Sequence, residues 1–518
     1  LRRTFGSALR RSRRRLAVET VQLEASSGPR RSEKKVRNGC VNRRTSFGLE
    51  LRLNCGLRPI EAVLENRQER DDSSRLVPQF RRNAMTAAPF RLGWFGNLTA
   101  PNWRSGWSED ATTWTDARFY VDMVRAMERA GFDFMMLEDS LMVPDIYAGT
   151  AELELKHAVY APKLDPVPVV SMLAYATEHI GIVATASTTF YPPYLLARAF
   201  ATLDHVTRGR VGWNVVTSSE DRAAQNFGMD EIPEHDRRYD VAAEFLEVTT
   251  KLWESWTEKA IVADPESGYY ADHTQVNPIH HRGEFFDVRG PLNTPRGPQG
   301  KPVICQAGSS PKGRDFAARN ADMLLTIPNG LEEMKNYRDD IRERAAEAGR
   351  DPDEVKVFFV VAPIVGRTDA EAQAKYEEFL ADGQHNFEFQ MCNFAATMEI
   401  DFSVLDPDLP IPEDVTTNGH QGQFAIWKKG FGDRSIRDAA SAMRIASLEL
   451  IGSPTTIADK MDEAMEYVGG DGFMFLSQPP SRSYISDITE GLCPELRRRG
   501  LIRTGFGHRT FRDNLRSF

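Results

Sequence analysis

Two short apolar runs place the tightest limit on how this chain can fold. Residues 180–185 (IGIVAT) and 210–217 (RVGWNVVT) are rich in β-branched residues, and both read as strands buried on two faces. Between them stands a breaker, Tyr191-Pro-Pro-Tyr194, followed by Leu195, Leu196, Ala199 and Leu203 at helical spacing. Gly209 sits just beyond, where a helix terminator belongs. Strand, helix and strand at this spacing form a βαβ unit, which implies parallel strands and a right-handed crossover. Thr, Ser and Asn cluster where both strands end, and such ends are where α/β sheets place their sites.

The alternation recurs along the chain. Residues 90–95 (FRLGWF), 132–137 (FDFMML), 302–310 (PVICQAGSS), 321–327, 355–365 and 471–476 read as further strands. Helices are expected near 168–177, 331–348, 369–382 and 454–468. Another has Thr115 or Asp116 as cap, Phe119, Met123 and Met127 on one face, and Gly131 at its end. The 518 residues, 41% hydrophobic, suit one long α/β barrel. Two stretches break the rhythm, near 258–300 and 384–444, and both read as insertions. The first is expected in a strand-to-helix connection, as a substrate lid.

Two helix starts carry candidate binding groups. Pro233 can open a helix, which puts His235 and Tyr239 on one face of its first turns. Gly308, Ser309 and Ser310 precede Pro311, so free backbone N–H groups at a helix start can hold a phosphate. An ordinary capped turn would look the same, as would a surface His–Tyr pair. Asn214 either faces the barrel mouth or is a satisfied core amide. Asp139 ends the 132–137 run and either faces the site or caps the next turn.

The segments STTFYPPYLLAR, TLDHVTRGRVGWNVVTS, AAQNFG and EHDRRYDVAAEF, with CPELRRRGLIRTGF near the C-terminus, match in order those of one flavin-dependent monooxygenase family. Residues 90–515 resemble the nitrilotriacetate, dibenzothiophene-sulfone, long-chain alkane and pristinamycin-synthase monooxygenases of the bacterial-luciferase-like superfamily. The resemblance implies a luciferase-like (β/α)8 TIM barrel and a two-component enzyme that uses FMNH2 and O2 on a small organic substrate. A separate NAD(P)H:flavin reductase would supply the FMNH2. It also implies flavin contacts at Asp139, Thr185, His235 and Tyr239, and phosphate contacts at Gly308, Ser309 and Ser310; Asn214, where it faces the mouth, is expected to join the flavin contacts. A homodimer or higher homo-oligomer is expected on the same ground. Many members carry a histidine in the first loop; NLTAPNWRSGW has none. His157 is the substitute candidate, although a surface-loop histidine reads more simply. No residue is singled out as a catalytic acid or base. A deazaflavin-dependent oxidoreductase and a non-enzymatic flavin-binding protein are the alternatives on the same barrel.

Other classes find little support. The formal net charge of −9 argues against a nucleic-acid partner, and no apolar run is long enough to span a membrane. The chain lacks a dinucleotide-binding glycine motif, a P-loop, a nucleophile elbow and a zinc-protease motif. Five scattered cysteines suggest neither a disulfide framework nor a zinc site, and His280 and His281 do not form a metal pattern. A cytoplasmic location is expected. Residues 1–84 carry 21 Lys and Arg against 9 Asp and Glu, and this basic stretch is too polar to pack a core. Met85 opens a sequence that suits a natural start, so 1–84 is expected to be disordered, or translated upstream sequence rather than native protein. Organelle import is the remaining alternative. The domain division is therefore 1–84 and 85–518.

Overall fold

The computed structural model describes residues 89–100, 113–476 and 481–517, so the 1–84 extension lies outside it. Eight parallel strands close into a barrel. They are β1 (Arg91–Gly96), β2 (Phe134–Leu137), β3 (Gly181–Ser187), β4 (Val211–Val216), β5 (Val303–Gln306), β6 (Met323–Thr326), β7 (Lys356–Val361) and β8 (Gly472–Leu476). Each neighbours the next, and β8 returns to β1 in a register running from Arg91↔Gly472 to Phe95↔Leu476. Helices α1 (Ala117–Ala130), α2 (Pro166–Tyr175), α3 (Pro193–Val206), α4 (His235–Glu254), α5 (Pro311–Asn320) and α6 (Leu331–Glu347) follow the first six strands. After β7 come α7 (Asp369–Ala381), α8 (Gly383–Met398), α9 (Gln421–Phe431) and α10 (Pro454–Val468).

Local signals explain most of the boundaries. Asp116 caps α1 by accepting the Arg118 N–H, and Gly131 closes it at φ 92°, a conformation that favours glycine. Phe119, Met123 and Met127 face the core from α1, as their spacing requires. Strand alternation sorts side chains into two layers. Phe134, Met136, Val183, Cys305, Phe358 and Met474 fill the barrel, and Phe511 and Leu515 pack against its N-terminal end. Phe134 stacks edge-on against Phe358 at 4.9 Å. Gly93 makes room for that ring, because a Cβ there would lie 2.3 Å from it. Trp94, Trp213, Phe245 and Trp253 occupy the outer layer beneath the helices.

A repeated device stitches the N-terminal rim. Asp133, Asp322 and Asp471 each stand immediately before an even-numbered strand. Each accepts a backbone N–H from the strand before it: Leu92 on β1 (2.9 Å), Ile304 on β5 (2.8 Å) and Val357 on β7 (3.0 Å). Each carboxylate also meets an arginine: Arg503 with Asp133, Arg512 with Asp322, Arg338 with Asp471. Burial pushes the Asp133 carboxyl up, and Arg503 opposes that. The role of Asp133 also explains why β2 begins two residues later than its apolar run.

The insertions differ in kind. Residues 258–300 follow α4 and precede β5, so they form a helix-to-strand connection at the N-terminal end of the barrel, not a strand-to-helix connection. They fold as two small hairpins, Ile261–Asp264 with Tyr269–Ala271 and His281–Arg282 with Asp287–Val288. His281 binds Glu244 on the flank of α4, and Gln299 binds Asp204 near the end of α3. The lid expected here is thereby corrected, since β-strand C-termini lie at the other end. The second insertion does follow a strand, β7. It builds its own core from Phe387, Phe394, Met398, Phe402, Phe424, Trp427 and Phe431.

The Asp133–Arg503 pair is almost completely buried, so removing one partner strands a charge. Arg503→Met is expected to destabilise the barrel by about 3–5 kcal/mol, read as a fall in melting temperature. Adding Asp133→Asn should recover part of the loss; an unchanged melting temperature in the single variant would refute the pairing's importance.

Candidate functional site

The sequence-selected residues fall on an unbroken arc of the barrel mouth, at the C-terminal ends of β2, β3, β4 and β5. Thr185 and Asn214 are register partners on β3 and β4 and face the barrel interior. The Asn214 Nδ2 donates to Thr185 Oγ1 at 2.9 Å, and both residues are buried. Asn214 Oδ1 is buried without a partner, so the amide is only half satisfied. An acceptor left open in this way is costly unless a ligand donates to it.

A second group gathers around the start of α5. Ser310 caps that helix by accepting the Gly313 N–H at 3.1 Å. Gly308 and Gly313 approach so closely that a Cβ on Gly308 would lie 2.8 Å from the Gly313 backbone. The Tyr337 hydroxyl donates to the Gly308 carbonyl at 2.5 Å, which fixes the loop from below. Tyr239 reaches in from α4, its ring 5.3 Å from that of His235. Burial raises the Tyr239 phenol's pKa, while hydrogen bonds with Ser310 and Gln306 oppose the rise. His235, Tyr239, Gly308, Ser309 and Ser310 thus form one cradle. Asp139 stands apart at the end of β2. Burial, then the neighbouring Glu138, pushes its carboxyl up to about 7, with Lys163 acting against them.

Several site residues carried no sequence signal. Lys163 binds Glu138 beside Asp139. The second insertion returns to the mouth over residues 418–422. Asn418 Oδ1 accepts the His235 N–H at 3.2 Å, and its carbonyl accepts from Arg238 at 3.0 Å. His420 Nε2 lies 3.2 Å from Ser219 Oγ. Gly422 backs directly onto the cradle, where a Cβ would lie 2.3 Å from Ser309 Oγ. Only the Asn-Gly turn at 418–419 hinted that the chain reverses there. His157 is not a surface histidine. It is buried and bonds Glu388 of α8 at 2.7 Å, tying the β2 loop to the insertion.

Comparison with known proteins decides the class. The luciferase-like monooxygenase family model matches residues 97–472. The chain belongs to that family. It is 40% identical over 412 residues to nitrilotriacetate monooxygenase component A of Aminobacter aminovorans, covering 77% of this chain and 90% of that protein. It is 36% identical over 431 residues to the dimethyl-sulfide monooxygenase of Hyphomicrobium sulfonivorans, covering 82% and 89%. A crystal structure of riboflavin lyase with modified FMN and riboflavin superposes with a TM-score of 0.76 at 30% identity, covering 83% of this chain and 96% of that one. Among the described residues no helix is long and apolar enough to cross a membrane.

The raised Asp139 carboxyl has a signed consequence. The folded state holds this proton more tightly than the unfolded chain does. Asp139 therefore costs no stability at low pH and destabilises the fold progressively as pH rises from about 4 to about 7. Asp139→Asn is expected to flatten the fall in melting temperature across that window. Identical profiles for variant and parent would show that the group titrates normally.

Proposed function

We propose that this chain is the oxygenase component of a two-component system, binding FMNH2 at the mouth of its barrel and using O2 to oxygenate a small organic substrate. The observation that carries this reading is the cradle around Ser310. It joins a helix start, two closely packed glycines and a buried tyrosine, a donor set suited to a phosphate. The open acceptor of Asn214 suits a ring N–H, and Thr185 fixes the amide's orientation. Asp139 would meet the ring edge, and His235 and Tyr239 would hold the phosphate end. Bound reduced flavin supplies the activation of O2; the protein positions the ring and keeps water from it. The relative described as component A supports a separate source of reduced flavin.

With NADPH, FMN and an added flavin reductase, the chain should consume O2 and yield a product heavier by one oxygen when offered an aminopolycarboxylate, a sulfone, a thioether and an alkane in turn. Flavin binding without oxygenation of any of them would favour a flavin-binding protein, and deazaflavin-dependent turnover the alternative oxidoreductase.

The cradle has its own test. Losing a hydrogen bond to a charged group costs about 1.5–3 kcal/mol, roughly ten- to a hundredfold in affinity. Ser309→Ala combined with Tyr239→Phe is expected to weaken FMN binding at least tenfold by fluorescence titration while leaving the circular dichroism spectrum unchanged. Parental affinity in the folded double variant would place the phosphate elsewhere.

A further inference from the structure

Across the mouth from the arc of β2 to β5, the ends of β7 and β8 hold a cation that has no carboxylate partner among the described residues. After α9 the chain passes over β7, where the Ser447 N–H donates to the Val360 carbonyl at 2.7 Å. Ile445 packs against the apolar interior of the barrel. Arg444 beside it sends one Nη2–H to the carbonyl of Ala362, just past the end of β7. Its guanidinium lies 5.8 Å from the Tyr376 ring centroid. Among the described residues no carboxylate lies within ion-pair distance of it, whereas the nearby Arg367, Lys375, Lys429 and Arg437 each have one.

Burial lowers the Arg444 pKa, with Tyr484, Tyr376 and Glu449 acting the other way. Glu449 is exposed. Two hydroxyls stand at the ends of β7 and β8. Ser447 is 2% exposed, and its hydroxyl has no partner. The Tyr484 hydroxyl makes only a long contact, 3.5 Å, to the Leu476 carbonyl at the end of β8. Arg444 is only partly withdrawn from water, and its one hydrogen bond, to Ala362, leaves other donors of the guanidinium free. A ligand can use those donors, because a guanidinium binds a carboxylate through two parallel hydrogen bonds.

We propose that Arg444 is a specificity residue that binds the carboxylate of an acidic substrate, with the Ser447 and Tyr484 hydroxyls as further donors. The proposal deepens the oxygenase reading and rests on it: with flavin held by the β2–β5 arc, the substrate lies between the ring and Arg444. Its apolar part would rest on the Phe95, Leu325, Ile327, Val360, Ile445 and Leu476 side of the mouth, the apolar rim of the barrel interior.

The test is calorimetric and needs no turnover. The FMN-loaded full chain is titrated with hexanoate and with hexanamide, which share a chain and differ in charge. Hexanoate is expected to bind at least tenfold more tightly. In Arg444→Met the two should bind equally, with hexanamide little changed; in Arg444→Lys part of the preference should survive. FMN affinity should be the same in all three proteins. Equal binding of the two probes by the parent, no hexanoate binding by the parent, or a preference that survives in Arg444→Met would each overturn the proposal. Should Arg444→Met not fold, the parent comparison and Arg444→Lys still decide. Failure of the parent to bind FMN at all would strike instead at the oxygenase reading.

Discussion

Closure of the barrel is the constraint on which everything else rests. Eight parallel strands share their hydrogen bonds around a ring, and the first and last strands must meet in register for any of them to be fully paired. The rim aspartates reinforce that closure at three of the eight seams. Asp133, Asp322 and Asp471 each fasten a strand to its predecessor through a backbone N–H, and each is neutralised by an arginine. Because all eight strands point one way, stability gathers at the end where they begin, and the other end is left to loops that can vary. The candidate flavin arc and the Arg444 side both lie at that loop-bearing end.

How much of this was legible depended on how local the signal was. Gly131 after α1, Pro311 after Ser310 and the β-branched runs of β3 and β4 are local instructions, and the structure follows them to within one or two residues. Thr185 and Asn214 were also readable, since strand ends face the mouth. The side of the barrel on which residues 258–300 lie was not, because one missed helix-to-strand assignment flips an insertion from one end to the other. His157 looked like a loop histidine because its partner, Glu388, is 231 positions away in sequence. The contact of Gly422 with Ser309 is equally invisible, for a glycine pressed against a distant backbone has no periodicity.

The second insertion is more than decoration on the β7 loop. It carries its own apolar core, yet several of its polar contacts run to the rest of the mouth: His157 and Lys156 to Glu388, Tyr160 to Asn393 and Thr397, His235 and Arg238 to Asn418. Apolar contacts seat it as well: Ala396 is buried with Met142, Phe190, Ala223, Ala224 and Ile232, and Ile146 and Tyr147 pack against its core.

Two of the three arginines that neutralise the rim, Arg503 and Arg512, arrive from the chain after β8. Their aspartates precede β2 and β6, so the carboxylates are made 370 and 190 residues before their counter-charges. During synthesis the nascent β1–β7 segment has neither its final strand nor these cations. Any sheet that segment forms is open, with two edges, and its rim carboxylates lack these two counter-charges. The order of translation thus sets the order of assembly: helices and strand pairs can form early, but the ring locks only after residues 503–512 have emerged. Until then any sheet in the segment has unpaired strand edges, the kind of surface that invites aggregation.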